Sequence, residues 1–201
     1  MFCATYPEAY PSVEVYADML ATQGTLRGLI GPREVPRLWD RHLLNCAVVA
    51  QLLAPNCTVC DLGSGAGLPG IVLALVRPDV RVTLLEPLLR RALFLQEVVA
   101  ELSLAGAVVH RARAEDLHGR SEFDVVTARA VAPLGRLAKW ALPLCRPGGE
   151  LLAMKGSSAS TEVADAASGI GKLGGSTPVI MHLGGELLVS QVTVVGVRKG
   201  H

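Results

Sequence analysis

The chain has 201 residues, half of them hydrophobic and 18% charged, with a formal net charge of +1. That is enough for one domain with a sizeable core, and the composition excludes a disordered chain. No apolar run has the length of a membrane span, and no basic start leads into an apolar core, so a cytoplasmic protein that does not engage membranes is expected.

Residues 1–55 read as a helical segment packed on a core formed by residues 56–201. Glu8 to Leu20 places apolar residues at 13, 16, 19 and 20. Pro36 to about Ala54 carries Trp39, Leu43, Cys46, Ala50 and Leu53 on one stripe. Arg37 and Arg41 lie one turn apart off that stripe, with Arg33 upstream, an arrangement that suits phosphates and equally a solvated face.

Thr58 and Val59 open a strand that runs into Asp61-Leu-Gly-Ser-Gly-Ala-Gly-Leu-Pro-Gly70, with glycines at 63, 65, 67 and 70. A helix over Ile71 to Val76 and a strand over Val82 to Leu85 follow, ending on Glu86. This is strand, glycine turn, helix, strand, acid: the first βαβ unit of a nucleotide-binding α/β domain. The turn lets a ligand lie on main-chain atoms, and Glu86 can accept hydrogen bonds from both hydroxyls of a ribose. Two ligands match. Gly65-Ala-Gly67-Leu-Pro-Gly70 is formally the dinucleotide fingerprint of an NAD-type oxidoreductase. The acid before the first glycine, Asp61, favours S-adenosylmethionine, whose amino-acid end is cationic and which has no pyrophosphate for a carboxylate to repel.

Beyond this unit, Leu88 to Leu102 reads as an amphipathic helix, Ala107 to His110 as a third strand, and Arg111 to Asp116 as a polar turn. Phe123 to Val126 is a fourth strand leading into Thr127-Ala-Arg129, Pro133 to Leu142 a helix, and Glu150 to Met154 a fifth strand ending in Lys155-Gly156. A glycine-broken helix over Thr161 to Leu173 and a hairpin of 177–182 with 187–198 about Gly184-Gly185 complete the pattern. Five β-α units and a terminal hairpin predict a Rossmann-like, mostly parallel seven-stranded sheet, as in class I S-adenosylmethionine methyltransferases.

Ligands of such sheets bind at the carboxyl ends of the strands. The fourth strand lacks the Asn/Asp-Pro-Pro-aromatic ending used to methylate exocyclic amines. Cys145 precedes the fifth strand, on the wrong side for a covalent nucleophile. The five cysteines are oddly numbered and irregularly spaced, and Cys57-x-x-Cys60 lies inside a strand with no second pair. They read as packed thiols, with neither disulfide nor metal. Arg129, Arg136, Lys139, Arg146 and Lys155 face a single acid, Glu150, between residues 127 and 155. They form a cationic rim suited to a polyanion such as nucleic acid.

Arg41-His-Leu-Leu-Asn45, Asp61 to Gly70, Arg113-Ala-Glu115, Asp124-Val-Val-Thr-Ala-Arg-Ala130 and Lys155-Gly156 together resemble the RsmG (GidB) family. These are bacterial methyltransferases of guanine N7 in 16S ribosomal RNA, and the resemblance covers residues 33 to 160. Asn45-Cys46 stands where the family usually has Asp-Ser. The resemblance implies S-adenosylmethionine as cofactor, bound by Gly63, Gly65, Gly67, Leu68, Glu86, Ala114, Glu115 and Arg129. Arg129 is the one residue expected to act in catalysis. It also implies 16S ribosomal RNA or the 30S subunit as partner. The basic residues Arg37, Arg41, Arg136, Lys139 and Lys155 are expected from their charge to meet that RNA, and no obligate protein partner is expected. The competing readings are the oxidoreductase and a non-catalytic ribosome-binding module that keeps the pocket as a fold element.

Overall fold

Val59, Val125, Leu152 and Val194 belong to one buried cluster, while their chain neighbours Cys60, Val126, Leu151 and Val195 belong to another. Strand periodicity thus divides each apolar run between two faces, and both faces are covered, which is why the strands read as near-continuous hydrophobic stretches. A computed structural model describes residues 1–185 and 191–200. The strands are β1 (Thr58–Leu62), β2 (Arg81–Leu85), β3 (Ala107–His110), β4 (Phe123–Arg129), β5 (Cys145–Lys155), β6 (Val179–Leu183) and β7 (Val192–Arg198). They form one sheet in the order β3-β2-β1-β4-β5-β7-β6. Neighbours from β3 to β5 are parallel, whereas β7 runs antiparallel to both β5 and β6. The expected hairpin exists, although residues 187–190 of its second segment lie outside the described residues.

The helices are α1 (Phe2–Thr5), α2 (Tyr10–Met19), α3 (Leu44–Ala47), α4 (Gly70–Val76), α5 (Leu89–Glu101), α6 (Ala114–Leu117), α7 (Leu134–Ala141) and α8 (Ala159–Lys172). The amino-terminal segment, α4 and α5 cover one face, with Tyr16, Leu43, Ile71 and Phe94 in a single cluster. Helices α6, α7 and α8 cover the other through Leu117, Leu137 and Ile170.

The one continuous helix expected from Pro36 to about Ala54 is broken in the structure. A 3₁₀ turn (Pro32–Arg37), a widened π turn (Leu38–Leu43), α3 and a second 3₁₀ turn (Val48–Leu52) succeed one another. Pro36 cannot donate its nitrogen to an α-helical ladder. The changes of winding bring His42, Leu43, Leu44, Cys46 and Ala47 all inward, where a regular helix would bury a single stripe. Arg77, just after α4, closes this segment by donating to the carbonyls of Ala50, Leu53 and Ala54 at 2.9–3.2 Å, so the last turn has its orphan acceptors satisfied.

Candidate active site

Strand order reverses at β1, whose neighbours are β2 on one side and β4 on the other, so the crevice opens where β1 and β4 end. Strand β1 ends at Leu62 and turns through Gly63, and β4 ends at Arg129 and turns through Ala130, which has φ +55°. Two cavities lie at this edge. The first, about 520 Å³, is walled by Gly63, Glu86, Arg91, Ala114, Glu115 and Trp140 among others. The second, about 570 Å³, is walled by Arg41, Asn45, Arg129, Lys155, Glu162 and Thr193 among others. Ala130 and Val131 belong to both.

The glycine turn is shaped by what presses on it. Gly63 has φ +71°, and a Cβ there would stand 2.9 Å from Val131 Cγ2, in the wall that the cavities share. Gly67 has φ +99°, and a Cβ there would meet Ile71 Cγ1 at 2.5 Å and the Tyr16 hydroxyl at 2.8 Å. Only glycine fits either position. Tyr16, fully buried in α2, donates its hydroxyl to the Ala66 carbonyl at 2.7 Å, so the amino-terminal segment braces the turn from behind.

Glu86 is 1% exposed at the end of β2. Its Oε2 accepts the Gly65 N–H at 3.0 Å, its Oε1 accepts the Leu88 N–H at 2.9 Å, and Arg91 Nη1 lies 3.7 Å from Oε2. The carboxylate is thus fixed on the cavity wall with acceptor capacity left on each oxygen. Asp61 lines neither cavity. It is fully buried in β1, where Oδ2 accepts the Gly70 N–H at 2.9 Å and Oδ1 has no partner. Burial pushes its carboxyl up to about 7, opposed by the bond from Gly70. It ties the start of α4 to β1: the carboxylate expected beside the cationic end of the cofactor faces the Gly70 N–H instead.

Of the residues expected to hold the cofactor, Gly63, Glu86, Ala114 and Glu115 line the first cavity and Arg129 the second. Gly65, Gly67 and Leu68 line neither; they form the turn behind. Leu68 is buried and precedes a cis bond to Pro69. Arg91, Val131 and Trp140 also line the first cavity, and no sequence pattern marks them, whereas Arg113 lines it as the first residue of the Arg113-Ala-Glu115 motif.

Arg129 does not project freely. Its Nη2 meets His42 Nδ1 and its Nη1 donates to Cys46 Sγ at 3.3 Å, both in the amino-terminal segment. Lys155 is also engaged: Nζ donates to the Ala132 carbonyl and to Glu162 Oε2, each at 2.7 Å. Glu162 Oε2 accepts the Leu134 N–H at the start of α7 as well, so the ion pair ties the β4–α7 loop to α8. Arg146 pairs with Asp124 at 2.5 Å, at the opposite end of β4 from Arg129. Of the five basic residues in this stretch, only Arg136 and Lys139 stand exposed on α7 without an acidic partner among the described residues, and Arg136 lies 5.7 Å from the Trp140 ring centre. Arg37 and Arg41 are exposed, Arg41 3.7 Å from Glu34.

The cysteines fit no reactive pattern. Cys145 begins β5, at the far end of the strand from Lys155, and burial pushes its thiol up to about 12. Cys57 and Cys60 are buried around β1 with thiols raised by burial. Among the described residues no group of three or more His, Cys, Asp or Glu side chains is placed to hold a metal, and no helix is long and apolar enough to cross a membrane.

Solved structures with this architecture include SibL, an S-adenosylmethionine-dependent methyltransferase in its apo form. It has a TM-score of 0.66 at 18% identity and covers 85% of this chain and 60% of its own. Precorrin-6y C5,15-methyltransferase from Geobacter metallireducens has a TM-score of 0.57 at 14% identity, covering 86% and 91%. The fold is that of the class I S-adenosylmethionine methyltransferases. In sequence, a protein of a Nocardioides species called ribosomal RNA small subunit methyltransferase G is 57% identical over 92% of this chain and 74% of its own length. A Streptomyces coelicolor protein of the same name is 54% identical over 97% and 82%. The model of that family matches residues 9–187, nearly nine-tenths of the chain. The chain belongs to the rRNA small subunit methyltransferase G family.

Proposed function

We propose that this protein transfers a methyl group from S-adenosylmethionine to N7 of one guanine in 16S ribosomal RNA, in the cytoplasm, with the RNA free or in the 30S subunit. The observation that carries the reading is the pair of cavities meeting at Ala130 and Val131: one offers the Glu86 carboxylate and a glycine turn, the other the Arg129 guanidinium. The residues fit S-adenosylmethionine. The Gly63 turn gives a backbone surface that a Cβ would spoil. Glu86 has acceptors for a ribose diol, and Ala114 with Trp140 supplies apolar wall for an adenine. Gly65, Gly67 and Leu68 act by shaping that turn. Residues 1–55 and 56–201 work as one domain, a reading supported by the continuous apolar cluster they share.

When bound, S-adenosylmethionine supplies an electrophilic methyl on a sulfonium. Guanine N7 carries a free lone pair and no proton, so the protein needs no general base. Its work is alignment of the two atoms and fixed polar groups at the site of charge change. Arg129, a donor on the acceptor side of the shared wall, suits the guanine O6 beside N7. Exposed Arg37, Arg41, Arg136 and Lys139 suit backbone phosphates. Lys155, spent on Ala132 and Glu162, shapes the acceptor cavity.

The test is methylation of 30S subunits, and separately of naked 16S RNA, from a strain lacking the family enzyme. Borohydride and aniline then cleave at 7-methylguanine. A single new cleavage is expected. Absence of cleavage with either substrate, when calorimetry shows S-adenosylmethionine bound, would favour the non-catalytic module. Binding of NAD in its place would favour the oxidoreductase.

A further inference from the structure

Arg129 is held by residues that the proposed chemistry leaves unexplained. A guanidinium has only donors, so the contact between Arg129 Nη2 and His42 Nδ1 requires a lone pair on Nδ1. The ring proton must then sit on Nε2, which lies 2.8 Å from Glu34 Oε2 and donates to it. Glu34 belongs to the 3₁₀ turn Pro32–Arg37 at the surface, whereas His42 is buried. A chain of two hydrogen bonds thus runs from a surface carboxylate through a buried imidazole to the guanidinium on the acceptor wall. We propose that His42 is a positioning residue that aims Arg129 into the acceptor cavity through its unprotonated Nδ1, and that protonation of this imidazole releases the guanidinium and stops methyl transfer.

The groups facing this imidazole are Arg129 from β4, Glu34 from the 3₁₀ turn and Arg41 from its own turn. Cys46 shares Arg129, and Asp61 of β1 lies within electrostatic reach of that arginine. Burial and the Arg129 charge hold His42 below its ordinary value, while Glu34 pulls it up. Protonated at Nδ1, the ring would set an N–H against an N–H and one cation against another, and the contact would break. The fixed neutral state is therefore the one that keeps Arg129 in place. Guanine N7 is a far weaker base than imidazole and is protonated only in strong acid, so loss of rate near the imidazole range reports the protein and not the nucleophile.

The inference rests on the methyltransferase reading for its activity arm, and a spectroscopic arm stands apart from that reading. Spectra of the protein labelled with nitrogen-15 in histidine should show His42 as the Nε2–H tautomer above its titration. Arg129→Ala should raise its midpoint and Glu34→Gln should lower it. In single-turnover methylation with saturating RNA and S-adenosylmethionine, the acid limb should move to lower pH in Glu34→Gln, in step with the spectra. His42→Asn, whose Oδ1 takes the place of Nδ1 as acceptor, should keep the rate within about tenfold and lose the limb. His42→Leu should fall by about 10²-fold, the scale of a misplaced group. An Nδ1–H tautomer would overturn the proposal. So would a limb unmoved in Glu34→Gln, or a normal rate in a folded His42→Leu. A wild-type protein that methylates no guanine would sink the functional reading, and the tautomer would still decide the Arg129 contact.

Discussion

Replacing Glu86 probes the cofactor cavity most directly. Each carboxylate oxygen offers about two acceptor positions, and the backbone takes one of each, from Gly65 on Oε2 and from Leu88 on Oε1. One position per oxygen remains for the two hydroxyls of a ribose. Hydrogen bonds to a charged acceptor are each worth about 1.5–3 kcal/mol, so Glu86→Ala should weaken S-adenosylmethionine by roughly 10²-fold or more. Glu86→Gln keeps one acceptor and turns an amide donor toward a backbone N–H, so it should lose about tenfold in affinity and some stability. Calorimetric titration of wild type and both variants, with urea unfolding as a check on the fold, measures this. A 2′,3′-dideoxy analogue of the cofactor separates direct contact from distortion of the turn: wild type and Glu86→Ala should bind it alike. An Ala variant that is folded and binds S-adenosylmethionine within twofold of wild type would remove Glu86 from the ligand. A dideoxy analogue that still favours wild type would assign the effect to the turn.

Gly67→Ala sets a Cβ against Ile71 and the Tyr16 hydroxyl and should cost about 2–4 kcal/mol in urea unfolding. Gly65→Ala, whose nearest neighbour is a carbonyl at 3.8 Å, should cost less, and an equal loss would refute the packing argument. Asp61 has a folded value of about 7, above its unfolded one, so the stability it contributes is complete at low pH and is lost as pH rises toward 7. Asp61→Asn should flatten that decline, by at most about 1.4 kcal/mol per pH unit, and an unchanged slope between about pH 4 and 7 would show that Asp61 is ionised throughout. Changing Cys57 and Cys60 together to Ala should lower stability but leave methyl transfer insensitive to chelator and reductant, as befits two buried thiols. Dependence on either reagent in wild type would contradict it.

The strands and the glycine turn were legible because they depend on local physics. Apolar runs between glycine or proline turns mark strands, and Gly63 and Gly67 stand where the backbone must take positive φ. Short α6 escaped notice because a single helical turn in Arg113-Ala-Glu-Asp116 has no periodicity to detect. Charge was where sequence misled. Five cations close together between residues 127 and 155 read as one rim, yet strand direction sends Arg146 to the opposite end of the sheet, and burial spends Lys155 on Glu162. Asp61 pointed to the right cofactor class through a repulsion argument, while its side chain faces Gly70 and not the cavity. The contact of Arg129 with His42 spans 87 residues, and no pattern in either stretch announces it.

The amino-terminal segment is thus more than a cover for the sheet. The βα core supplies the ends of β1 and β4, but neither end is held by the core alone. The Ala66 carbonyl beside the glycine turn is taken by Tyr16, and the Arg129 guanidinium by His42 and Cys46. Arg41 and Asn45 from the same segment wall the second cavity. The segment buries Leu43 and Leu44 in the core, sets His42 and Cys46 against Arg129, and places Asn45 on the cavity wall.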